Sequence, residues 1–113
     1  MKTLKETQTV SEADKVLLDQ LRQGVQRFLP TATVLLYGSV ARGTPGPESD
    51  YDILIVVDEP LSAQEEDRIR DSIFDLEMAS GAVISTQFIS KNELIAHSAM
   101  PFLLEVGKDG ILL

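Results

Sequence analysis

An apolar run from Thr33 to Tyr37 stops at Gly38-Ser39, and after ten intervening residues Asp50-Tyr51-Asp52 opens a second apolar run that reaches Val57. Short apolar runs bounded by turn residues read as buried strands rather than helices. Between them, Gly43-Thr44-Pro45-Gly46-Pro47 cannot continue a helix, so a short helix from about Ser39 must end in a loop. The small-residue turn presents backbone N–H groups at a helix start, an arrangement able to hold polyphosphate. Gly38 admits close approach of a phosphate, and Ser39 adds a hydroxyl and its own N–H. Asp50 and Asp52, at i and i+2, project from one face of the second strand. Hard carboxylate oxygens at that spacing suit magnesium, which commonly takes one or two carboxylates together with substrate phosphates. Tyr51 falls on the opposite face and reads as packing. Taken alone, Gly38-Ser39 is also an ordinary serine-capped turn and Arg42 an ordinary surface cation; the nearby carboxylate pair favours phosphate for both.

The remaining elements follow from local signals. Ser11-Glu12-Ala13-Asp14 starts a first helix whose apolar residues Leu18, Leu21, Val25 and Phe28 recur at helical spacing up to Leu29-Pro30. Ser62-Ala63-Gln64-Glu65 is a capping box opening an acidic helix to about Met78, with Ile69, Ile73 and Leu76 as its buried stripe. Asp67, Asp71 and Asp75 repeat along that helix and are read as a solvated face. A third strand runs from Ala82 to Ile89, Ser90-Lys91-Asn92-Glu93 caps a short helix, and a last helix spans Pro101 to Lys108 before an extended tail, Gly110 to Leu113. His97 has no spacing relation to the Asp pair and reads as a surface or capping residue, and Met78 and Met100 as packing.

With 113 residues there is room for one core. No apolar run approaches a membrane span, and Met1 to Thr9 lacks the apolar segment of a secretory signal. The absence of cysteine removes disulfides and thiolate metal sites, and a cytoplasmic location follows as the default. Eighteen Asp and Glu against ten scattered Lys and Arg give a net charge of −8. A protein that grips a nucleic-acid backbone normally shows a basic stripe. Template-directed DNA synthesis, tRNA end-addition and direct nucleic-acid binding are therefore disfavoured.

The Gly-Ser turn, the ten-residue spacing and the Asp-x-Asp pair resemble the signature of minimal nucleotidyltransferases, a small branch of the DNA polymerase β-like superfamily. Arg42-Gly43 and Ser49 also look like family usage, and the similarity is sharpest from Val34 to Val57. The resemblance implies an α/β (α+β) fold with a polymerase β-like core: a small mixed sheet with helices packed mainly on one face. It also implies one minimal nucleotidyltransferase domain over residues 1–113. In that case Asp50 and Asp52 are catalytic and hold Mg2+ or Mn2+, and Gly38, Ser39 and Arg42 bind the NTP, with ATP the favoured one. Such proteins are often paired with an all-helical HEPN protein, commonly a toxin with ribonuclease activity. They act as its antitoxin, in some cases by nucleotidylating it.

The third strand departs from the family pattern. Many active relatives place a third carboxylate there, whereas Gly81 to Ser90 contains no Asp or Glu. Alternation puts Ile84, Thr86 and Phe88 on one face, which leaves Ser85 or Gln87 at the position where that carboxylate is expected. The implied function is Mg-dependent transfer of a nucleoside monophosphate to a hydroxyl, with a protein partner as acceptor. The alternative is a catalytically weak nucleotide-binding or docking module that regulates its partner without transfer. A chain this short has little material for an acceptor pocket, so a helical partner or a second copy is expected to complete it.

Overall fold

Serine caps set most of the helix starts. The computed structural model describes residues 1–46 and 50–113, so Ser49, singled out beside Asp50, lies outside the described residues. Helix α1 (Glu12–Phe28) begins where the Ser11 hydroxyl accepts the Asp14 N–H. Helix α3 (Ala63–Ser80) and helix α4 (Lys91–Ala96) each open on a reciprocal capping box, Ser62 with Glu65 and Ser90 with Glu93. Each box satisfies two backbone donors that the first turn would otherwise leave unpaired. Strand β2 (Thr33–Tyr37) runs into the five-residue helix α2 (Gly38–Arg42), which stops at Gly43 in the left-handed conformation. Strands β3 (Tyr51–Val57) and β4 (Ile84–Ser90) complete the expected central elements.

Two short strands were not anticipated. β1 (Lys2–Thr3) and β5 (Ile111–Leu112), the latter following helix α5 (Pro101–Asp109), extend a five-stranded mixed sheet in the order β1-β5-β2-β3-β4. β2 pairs antiparallel with β3 and β5; β3 pairs parallel with β4, and β1 parallel with β5. The residues read as an extended tail thus become a strand beside β2.

The two long helices lie together on one face. Leu18, Leu21 and Val25 of α1 and Ile69 and Ile73 of α3 pack with Val34, Leu36, Ile53, Ile55, Val57 and Ile84. The opposite face carries a smaller cluster in which Leu103 and Val106 of α5 cover Leu35, Tyr37, Leu54, Val56 and Ile89. This second layer positions the candidate site, because Leu54 and Val56 share a face with Asp52. Phe28, placed on the apolar face of α1, and Met78 and Met100, read as packing, are exposed. Asp67, Asp71 and Asp75 are exposed as a solvated face requires. Among the described residues no helix is long and apolar enough to cross a membrane.

Candidate active site

The turn and the carboxylate pair meet because β2 and β3 are antiparallel neighbours. Tyr37, the last residue of β2, pairs with Asp52 of β3, so the chain leaves β2 directly beside that carboxylate. Gly38 then adopts φ +80°, and a Cβ built there would run into the Asp52 carboxylate and contact its Cγ and Cβ. A side chain at position 38 would therefore occupy the space that Asp52 uses, and the backbone conformation is one that L residues rarely adopt. The glycine is demanded by both the turn and the acid.

Across the other edge of β3, Asp52 pairs with Ser85 of β4. The Ser85 hydroxyl donates to Asp50 Oδ2 at 3.3 Å. Of the two residues that alternation left open, Ser85 is the one level with the Asp pair, whereas Gln87 pairs with Leu54 further into the strand. The third-strand position thus carries a neutral hydroxyl.

Burial holds the Asp52 carboxyl above the usual carboxylate range, and the charges of Asp50 and Glu105 push it further, against an opposing pull from Arg42. Tyr37 is raised for related reasons, first by burial and then by Asp52 and Glu105. Three carboxylates and one guanidinium consequently act on a single locus. A cation there would relieve repulsion that the protein otherwise bears. The donor set, two carboxylates with a hydroxyl beside them, fits a hard divalent ion that also takes substrate oxygens. Among the described residues no group of three or more His, Cys, Asp or Glu is close enough to enclose a metal by itself.

Arg42, assigned to phosphate from the sequence, donates from Nη1 to Asp109 Oδ2 of α5 at 3.3 Å. Neither Asp109 nor Glu105 was singled out in the sequence. They lie more than fifty residues beyond the Asp pair, and only the packing of α5 over β2 brings them near it. His97 is exposed, and its backbone N–H closes α4 on Glu93, a capping role.

Tyr51 faces away from the site, as alternation requires, and its hydroxyl donates to Asp14 Oδ1 of α1 at 2.6 Å. Burial, the Asp14 hydrogen bond and the Asp14 charge push Tyr51 up to about 12. A phenol raised in the folded state adds stability that is complete below its unfolded pKa and is lost as pH rises through the folded value. Tyr51→Phe is expected to cost about 1–2 kcal/mol in urea unfolding at neutral pH, and to remove the part of the alkaline stability loss that falls between about pH 10 and 12.

Residues 18–105 match the model of the nucleotidyltransferase domain family, and the chain belongs to that family. Two solved structures of Cid1 are similar in shape. One is of the Cid1 poly(U) polymerase with MgGTP bound, at TM-score 0.49 and 20% identity over 88% of this chain and 38% of that one. The other concerns the RNA terminal uridylyl transferase activity of Cid1, at TM-score 0.45 and 17% identity over 88% of this chain and 37% of that one. The chain thus spans less than two-fifths of those chains. No curated protein matches it. The family membership rests on the sequence match.

Proposed function

We propose that this protein transfers a nucleoside monophosphate from a nucleoside triphosphate, ATP in preference, to a hydroxyl group, with release of pyrophosphate. The observation that carries this reading is the geometry at Gly38, at the start of α2, where an added Cβ would run into the Asp52 carboxylate. Phosphate seated on the turn and the carboxylates that share its counter-ion would then be neighbours. Gly38 and Ser39 hold the phosphates through the backbone and hydroxyl, and Arg42 offsets their charge. Asp50 and Asp52 hold magnesium or manganese, which would supply charge neutralisation at the phosphates. The acceptor hydroxyl gives up its proton to solvent as its oxygen attacks the α-phosphorus, and the bond to the leaving pyrophosphate breaks.

The acceptor in this reading is a hydroxyl on a helical HEPN-type protein, for which the chain serves as antitoxin. Exposed apolar side chains on α4, on α5 and at the residue that precedes α5 support a partner: Ile95 is 75% exposed, Leu104 59% and Met100 43%. Co-expression with such a protein should yield a complex and a nucleotide-sized mass increase on the partner. A complex without that increase would favour docking alone.

Calorimetry tests the site itself. ATP should bind at least about tenfold more tightly with Mg2+ than in EDTA, and Asp50→Asn with Asp52→Asn should abolish that difference. Because Asp52 is held above the usual range, the metal-assisted part should fade as pH drops while an ordinary aspartate would still be ionised. Equal affinity with and without metal, or no binding at all, would overturn the metal-bridged site. A second reading, nucleotide binding without transfer, is favoured by Ser85, since a hydroxyl beside Asp50 and Asp52 cannot replace a carboxylate's charge.

A further inference from the structure

A cleft of about 860 Å3 lies beside the Asp pair rather than over it, between the amino-terminal segment, the end of α2 and the end of α5. Its walls carry Lys2, Arg42 and Lys108 as cations and Glu6 and Asp109 as anions. Asp109 is engaged by Arg42, and the Glu6 carboxylate accepts the Thr3 hydroxyl. Among the described residues neither Lys2 nor Lys108 has an ion-pair partner. In a chain of net charge −8 this excess of positive charge runs against the general surface. The cleft beside Pro60, by contrast, is lined by Asp58, Glu59 and Glu65 with no cation.

We propose that this cleft is an anion site that receives a phosphate group on Lys2 and Lys108, with Arg42 turning from Asp109 to the ligand. Gathered ammonium groups in a concave wall raise the local concentration of anions, and an adjacent guanidinium adds paired donors that match phosphate oxygens. Asp109 acts as the resident counter-ion. Its side chain is about one-quarter exposed and holds an arginine side chain that is itself 44% exposed, so the pair is reachable by a competing anion. Arg42 also acts on Asp52 and so borders both sites. The ligand is either the terminal phosphates of the nucleotide bound at the Asp pair or a separate phosphate.

The test uses inorganic pyrophosphate in EDTA, where the carboxylate pair has no cation to share and the lysine variant isolates the cleft's part of the binding. Calorimetry should detect binding to the wild-type chain, weakened about tenfold in Lys2→Ala/Lys108→Ala and strengthened about twofold to fivefold in Asp109→Asn. Asp50→Asn/Asp52→Asn should not weaken it. No binding by the wild type, equal binding by the lysine variant, or loss in the Asp50/Asp52 variant would overturn the site. Unchanged affinity in Asp109→Asn would overturn the part given to Arg42. Circular dichroism confirms that each variant is folded. A competition with MgATP then names the source: displacement of pyrophosphate identifies the nucleotide's own tail, and simultaneous binding identifies a separate phosphate. The metal-dependent ATP titration of the wild type decides the transfer reading independently, so either proposal can fail alone.

Discussion

Gly38→Ala is expected to destabilise the protein by about 2–4 kcal/mol, read as a lower urea midpoint at unchanged slope. Two costs combine. A left-handed φ of +80° strains any residue with a Cβ, and the added methyl meets the Asp52 carboxylate, which the β2–β3 pairing holds in place. Gly81 separates the two, because it has φ +77° with nothing within 4 Å of an added Cβ. Gly81→Ala should therefore cost only the backbone strain, about 1 kcal/mol. In a double-mutant cycle, Asp52→Ala should recover most of the difference, since only ordinary contact remains once the carboxylate is gone. If Gly38→Ala costs no more than Gly81→Ala, the close approach of turn and acid is wrong, and with it the geometry that supports the proposed transfer.

Ser85→Asp should have the largest effect on chemistry. It places a third carboxylate level with Asp52 and within reach of Asp50. Without metal the added charge repels both, and the melting temperature should fall by about 2–5 °C. Magnesium should reverse the fall, a readout that needs no turnover. If transfer is the function, turnover should rise by about tenfold or more, because the missing charge is restored where the acceptor hydroxyl must be activated. Gln87→Asp should do neither, as its β3 neighbour is Leu54. A wild-type protein that already turns over well and gains nothing from Ser85→Asp would show that the hydroxyl suffices. Unrestored stability in magnesium would show that no ion is held there.

Much of the fold was legible in short windows. The caps at Ser11, Ser62 and Ser90 depend on hydrogen bonds reaching three residues along the chain, so their residue types announce them. Asp52 and Tyr51 point to opposite faces of β3 as strand alternation requires, with Asp50 just ahead of the strand, and the break after Arg42 follows from Gly43 and the prolines behind it. Apolar character was less reliable at element ends. Phe28 continues its stripe but closes α1 and remains exposed, and Met78, two residues past Leu76, lies off the α3 stripe and is exposed as well.

The sequence by itself determined that a glycine-serine turn and a carboxylate pair stand ten residues apart on consecutive elements, because turn and strand are consequences of backbone geometry over a few residues. Tertiary structure alone decided which residues surround them. Ser85 rather than Gln87 faces Asp52 because the register of β4 on β3 selects it. The tail became β5 because β2 offered it an edge, and Leu103 and Val106 laid α5 over the second face of the sheet. That docking brought Glu105 to bear on Asp52 and Asp109 onto Arg42. Interactions between residues dozens of positions apart leave no local periodicity to read. They exist only once burial of apolar surface has fixed where each element lies.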